Sequence, residues 1–304
     1  MLDFRLLGTA AGGGVPQWNC ACILCSLCRS DTGRVAPRLQ AQATFSSDGQ
    51  RWFLINASPD LRVQIERNTE LQPYPVHNPA QGRRNTPICG ILLTSADLDQ
   101  VLGLFLLREF QPITIYATHL VRQVLEANPF MRMFNRIPNQ LTWVEIFPSV
   151  PFLLDGVSCT PVPLSGSLPY YAREFDSDES GQATIGLVLE WEGRRIAYTP
   201  SVAAIGDELR NIYGSCDVVL VDGTFWSDSE LSSTHVGTPL GRSIGHVPMS
   251  GADGTIALLA NLTSPRKVFV HINNTNPVLD CQSVEYRFVR DHGWEVGWDG
   301  WRLS

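Results

Sequence analysis

Apolar residues recur along this chain with two periods. Short alternating or continuous apolar runs, cut by Gly, Pro, Asn and Asp, predict strands over residues 4–8, 41–46, 52–56, 88–94, 113–116, 159–164, 184–190, 195–199, 218–222, 267–271 and 294–298. Three-and-four spacing predicts helices over 98–110, 119–128, 204–213 and 254–262. Ser47-Asp48-Gly49-Gln50 and Glu192-Gly193 each lie between two strands as tight turns, so part of the sheet structure is antiparallel. Strands joined by hairpins and interleaved with helices fit an α/β architecture of two packed sheets flanked by helices. No linker or internal repeat divides the chain, and residues 1–304 read as one domain. Two stretches, 72–85 and 169–181, are long polar loops that serve either as functional lids or as plain surface.

Composition narrows the function classes. Apolar residues make up 44% of the 304 residues and charged ones 17%, a globular profile. A net charge of −7 without a basic patch excludes nucleic acid and anionic lipid as expected partners. The longest apolar runs, 88–93 and 218–221, are strand-length, so no membrane span is expected. Met1 leads directly into a strand without a charged leader and apolar signal core, and the chain reads as cytoplasmic.

Four of the eight cysteines crowd into one short segment, residues 16–28, as Cys20, Cys22, Cys25 and Cys28. In a reducing compartment such crowding points to metal rather than disulfides. Thiolates two or three residues apart can fold back on one zinc ion, which prefers a tetrahedral set of soft ligands. Cys20, Cys22 and Cys25 are the expected ligands of a structural zinc; the fourth comes from elsewhere or from Cys28. Cys89, Cys159 and Cys216 lie in or beside apolar runs and read as small buried hydrophobes. Gly12-Gly13-Gly14 follows a strand, but no Lys-Ser or Lys-Thr follows it, so a tight turn is expected rather than a phosphate loop.

The strand ending at Thr94 runs through Ser95-Ala96-Asp97-Leu98-Asp99-Gln100 into a helix, where Thr94 or Ser95 could cap it and the acids face its positive end. This junction also resembles the place where metallo-β-lactamase-fold enzymes carry Thr-His-x-His-x-Asp-His. Thr94 and Asp99 match, whereas Ser95, Asp97 and Gln100 stand at the three histidine positions. Over nearly its whole length the chain resembles the B-protein family of pyrroloquinoline quinone (PQQ) biosynthesis. The resemblance rests on the run from Gly8 to Cys20, Asn56-Ala57-Ser58-Pro59-Asp60, Leu107-Arg108-Glu109, Val221-Asp222-Gly223-Thr224, Gly245-His246 and His271-Ile272-Asn273-Asn274-Thr275-Asn276-Pro277.

That resemblance implies a metallo-β-lactamase fold, a four-layer αββα sandwich, with a structural zinc and a second metal at the sheet edge. It implies an iron-dependent hydroxylase acting on the tyrosine-derived ring of a Glu–Tyr cross-linked, amino-acid-derived PQQ precursor. The alternatives are a non-catalytic carrier of PQQ or its precursor and a metal-dependent hydrolase. A homodimer is left open. Asn274 falls where fold relatives place a structural histidine, so it competes with Cys28 as the fourth zinc ligand.

A dinuclear hydrolase needs two histidine-rich half-sites bridged by a carboxylate. Ser165-Gly166-Ser167 and Pro200-Ser201 stand where the next motif histidine and the bridging aspartate are expected, so at most one active-site metal is expected. Its candidate ligands are Asp99, Asp222 and His271, all near strand ends, resembling the facial set of non-haem iron sites. The family supplies a histidine at position 100, and Gln100 is a weaker ligand. His246 is a candidate substitute ligand, or a base near the ring hydroxyl. His77, His119, His235 and His292 read as structural or solvated. Arg108 and Glu109 form an ion pair or reach substrate carboxylates.

Overall fold

The computed structural model describes residues 2–77, 82–175 and 181–303. The two predicted loops therefore lie partly outside the described residues. The N-terminal half builds one sheet from β1 (Asp3–Gly8), β2 (Gln42–Ser46), β3 (Trp52–Ile55), β4 (Ile88–Leu92), β5 (Ile113–Ala117) and β6 (Leu141–Glu145), in that spatial order. The C-terminal half builds the other from β7 (Phe152–Leu154), β8 (Val157–Pro163), β9 (Ile185–Trp191), β10 (Arg194–Thr199), β11 (Val218–Asp222), β12 (Arg266–Val270) and β13 (Trp294–Val296), again in sequence order. Each sheet is mixed: antiparallel at its hairpins and parallel where helices cross over.

Both predicted turns form hairpins. The Asp48 carboxylate accepts from the backbone N–H of Gln50 and Arg51, each at 2.8 Å, and closes the β2–β3 turn. Glu192 and Gly193 join β9 to β10 with φ of 49° and 80°, the left-handed pair that matches strand twist.

Side-chain alternation produces the layers. Val218 and Leu220 of β11 point into the core between the sheets with Phe4, Phe45 and Val268, whereas Val219 and Val221 point outward. That outer face is covered by α5 (Asp207–Gly214), α7 (Thr255–Leu258) and α8 (Val284–Asp291), through Leu209, Tyr213, Ile256 and Val289. The outer face of the first sheet carries Leu54, Ile91 and Ile115 against Leu61, Val101 and Val121 of α2 (Leu61–Arg67), α3 (Leu98–Val101) and α4 (His119–Ala127). The result is the αββα sandwich.

Several elements depart from the pattern-based expectation. The helix expected over 98–110 is α only as α3, then continues as a 3-10 helix, Leu102–Leu107. Gly103 packs so closely on the backbone of the Asn56–Asp60 segment that a Cβ there would lie 2.2 Å from the Ser58 carbonyl oxygen. Strands β6 and β7 were not expected, nor were α1 (Ile23–Ser30), α2 or α8. The second predicted loop contains a 3-10 helix, Tyr170–Phe175, pinned by buried Ala172. No helix among the described residues is long and apolar enough to cross a membrane.

Candidate functional site

The N-terminal cysteines fold onto the first turn of α1, where Cys22 is the N-cap. Each of three sulfurs accepts one backbone N–H at 3.4 Å: Cys20 from Cys22, Cys22 from Cys25, and Cys25 from Gln17. The three ligand atoms lie within 4.8 Å of one another. Asn274 closes the open side, its side-chain nitrogen 3.2, 3.8 and 3.3 Å from the sulfurs of Cys20, Cys22 and Cys25. Burial and the neighbouring sulfurs push the Cys22 thiol up to about 11, a penalty that a cation among the thiolates removes. The donor chemistry fits zinc. Cys28 stands apart, one turn along α1, buried in the apolar cluster under β11 and β12.

The second constellation lies at the strand ends. The β11–β12 register pairs Asp222 with Val270 and so brings Asp222 beside His271, the next residue. His271 has a left-handed backbone, φ 56°, which costs a non-glycine residue on the order of 1 kcal/mol. The following Ile272 holds it there, its N–H donating to the Thr9 carbonyl at 2.8 Å and its carbonyl accepting from Ala11 N–H at 2.9 Å. His271 Nε2 then meets the Asp99 carboxylate at 3.0 Å, and His271 Nδ1 meets the Thr224 hydroxyl at 2.8 Å.

Asp222, His246 and His271 offer ligand atoms within 4.8 Å of one another. The Asp222 carboxylate is nevertheless already occupied. Oδ1 accepts from the N–H and hydroxyl of Thr224 at 2.9 and 2.6 Å; Oδ2 accepts from Val202 N–H at 2.9 Å and His246 Nδ1 at 2.7 Å. Four donors match the four lone-pair sites of a carboxylate. Facing a carboxylate that only accepts, His246 Nδ1 is the donor of this bond, and Nε2 is the ring nitrogen left for other partners. Position 100 is engaged too: buried Gln100 accepts through Oε1 from the Thr94 hydroxyl and from Ser95 Oγ at 3.2 Å.

Electrostatics agree with a cation site. Burial and the Asp99 charge push the Asp97 carboxyl up. Burial would also raise Asp99 and Asp222, but the adjacent His271 and His246 outweigh it and hold both carboxyls down. Burial alone would lower His271; the Asp99 hydrogen bond reverses this and raises it. Among the described residues no lysine or arginine pairs with Asp97, Asp99 or Asp222. Three carboxylates around two imidazoles fit a divalent ion.

Asp97, Asp99, His246 and His271 line a cavity of about 420 Å³, and Asp222 lies buried behind His246. Ser167 and Ser201, at the places of the motif histidine and the bridging aspartate, line it as well, as does Gln100. The positions of the missing hydrolase ligands thus line the same cavity as Asp99 and His271. The asparagine-rich run after His271 was legible as a motif; the four-donor saturation of Asp222 was not, because Val202 and His246 reach it from distant loops. His119 pairs at the surface with Glu145 at 3.3 Å, His292 Nδ1 donates to the Phe288 carbonyl at its own helix end, and His77 and His235 are exposed. Arg108 and Glu109 are exposed and 3.4 Å apart, an ion pair.

Residues 51–272 match the profile of the beta-lactamase superfamily domain. Together with the αββα sandwich, this makes the chain a metallo-β-lactamase-fold protein of that superfamily. Coenzyme PQQ synthesis protein B of Methylobacterium nodulans is 42% identical over 98% of both chains. The Zn(2+)-bound PqqB structure from Methylobacterium extorquens superposes with a TM-score of 0.91 at 38% identity, covering 99% of each chain. A diphosphatase of the PhnP family shares the fold, with a TM-score of 0.68 at 20% identity over 100% of this chain and 98% of that one. The chain belongs to the coenzyme PQQ synthesis protein B family.

Proposed function

We propose that this chain serves PQQ biosynthesis as a metal-dependent oxygenase that hydroxylates the tyrosine-derived ring of a Glu–Tyr cross-linked precursor. One observation carries the reading. At the positions of the two-metal hydrolase ligands the cavity carries Gln100, Ser167 and Ser201, yet it keeps the Asp99 carboxylate on His271 Nε2 and, beside His271, His246 bonded to buried Asp222. Asp99 and His271 would hold the ion. Iron(II) there would supply activation of dioxygen, with open positions for dioxygen and substrate.

The remaining roles belong to side chains. Asp222, expected as a ligand from its strand-end position, works in this reading through His246, fixing its tautomer. His246 Nε2 takes the proton of the ring hydroxyl as general base. As a ligand beside His271, His246 would bind through Nε2 and keep its 2.7 Å contact to Asp222. Phe225 and Ile244 give the ring an apolar wall. One oxygen atom of dioxygen enters the ring C–H bond and the other leaves as water, with two electrons from an external reductant and two protons from that reductant or solvent.

A second reading, carriage without chemistry, is favoured by the engaged carbonyl of Gln100. Protein loaded with ferrous iron under nitrogen, then given precursor, dioxygen and reductant, separates the two. Mass spectrometry should find a product one oxygen atom heavier, lost in His271→Ala and reduced in kcat more than in KM by His246→Ala. Precursor bound but returned unchanged by the wild type and by Gln100→His would replace hydroxylation with carriage.

A further inference from the structure

The cavity floor is acidic, and one cationic side chain, Arg173, lines its mouth. Arg173 lies on the 3-10 helix Tyr170–Phe175. Three residues apart on such a helix, side chains eclipse, and the Arg173 guanidinium stacks over the Tyr170 ring at 5.0 Å from its centroid. The turn is fixed from below. Tyr171 donates its hydroxyl to the Ala96 carbonyl at 2.5 Å, and buried Leu168 and Ala172 pack in the core under the first sheet. Ala96 immediately precedes Asp97, so this contact ties the turn to the segment that carries Asp97 and Asp99. Among the described residues Arg173 forms no ion pair, and Tyr170 is 84% exposed.

A guanidinium held over an aromatic ring, with no carboxylate partner among the described residues, at the mouth of an otherwise acidic cavity is built to receive an anion. We propose that Arg173, presented by Tyr170, is the specificity-determining anchor for a carboxylate of the ligand, and that the cavity selects aromatic amino acids over aromatic amines. The planar fork receives the carboxylate through two parallel hydrogen bonds. The acidic floor receives the ring end and repels a second carboxylate there, so one orientation is selected. This inference deepens the proposed function and rests on the cavity being the substrate site; it does not depend on the chemistry performed.

L-3,4-dihydroxyphenylalanine and dopamine are suitable probes, because they share ring and amine and differ in the carboxylate. Binding of each to the full chain, zinc-replete and without added iron, is measured under nitrogen by calorimetry or ligand-observed NMR. The wild type should prefer the amino acid. Arg173→Gln should weaken the amino acid by about tenfold to a hundredfold and leave dopamine equal or tighter. Arg173→Lys should recover part of the loss, and Tyr170→Ala should cost about threefold to tenfold. Zinc content and melting temperature of the variants report an intact fold. Equal affinity of the wild type for the two probes would overturn the proposal. So would an Arg173→Gln variant that binds both as the wild type does, or loses both alike. Since no iron or turnover enters the assay, hydroxylation can fail while the anchor stands.

Discussion

Gln100→His tests the assignment of the metal edge most directly. Gln100 is 2% exposed, and its oxygen accepts from the hydroxyls of Thr94 and Ser95. An imidazole there forfeits both hydrogen bonds, each worth about 1 kcal/mol. Neither hydroxyl is orphaned, because Thr94 can donate to Asn56 Oδ1 at 3.1 Å and Ser95 to Asp97 at 2.7 Å. The stability cost is therefore about 2 kcal/mol at most, a melting temperature lower by about 3 °C for a chain of this length. Against this stands a better ligand beside Asp99, since imidazole suits ferrous iron where a neutral amide does not. On the scale of a hydrogen bond to a charged group, the gain is on the order of 1–3 kcal/mol, or about tenfold to a hundredfold in affinity. Titration calorimetry of both proteins with ferrous sulfate under nitrogen, the cysteine site filled with zinc, should show weak binding in the wild type and the gain in the variant. His271→Ala should abolish binding in both backgrounds. Equal, tight binding by the wild type and Gln100→His would refute the reasoning and transfer the missing ligand to His246.

Three further outcomes are expected. Purified protein should hold close to one tightly bound zinc; Cys22→Ser and Asn274→Ala should lose or weaken it, and Cys28→Ala should leave it in place, as metal analysis with thermal melts will show. Supplied with zinc or manganese, the protein should not turn over generic phosphodiesters or β-lactams; turnover above a metal-only blank that Asp99→Ala abolishes would contradict the one-metal reading. Glu230, on the short helix α6 (Glu230–Ser233), is 3% exposed, and burial pushes its carboxyl up to about 7. The folded state thus holds a proton that the unfolded chain releases near 4.5, so stability falls as pH rises from about 4.5 to about 7 and levels beyond, by about 3 kcal/mol. Urea midpoints across that window should show the fall, and Glu230→Gln should flatten it.

Strands whose faces are both covered were legible because their apolar runs are continuous, as in Val218–Asp222. The two hairpins were legible from Asp48-Gly49 and Glu192-Gly193. β6 was not: Leu141–Glu145 is a half-exposed edge strand of mixed character, and β7 has only three residues. α8 buries a single residue, Val289, so its apolar stripe is too thin to read. α1 hid inside the cysteine spacing, because two of its buried positions, Cys25 and Cys28, suggest metal before they suggest a helix face. The site divides in the same way. Asp99 and His271 announce themselves by strand-end position and motif, but the pairing of Asp222 with His246 depends on a loop crossing 24 residues that no local period records.

The segment from His271 to Asn274 bears on how this protein is handled at the bench. Its first residue points at Asp99 and its last at the cysteine sulfurs. The two candidate metal sites therefore share a strut of four residues, one end of which is held in a left-handed backbone. A chelator that strips a zinc from the cysteine cluster would release the far end of that strut and let His271 relax without acting on the candidate cavity itself. Loss of activity after treatment with a chelator will thus count the wrong metal unless zinc at the cysteines is assayed separately and restored first.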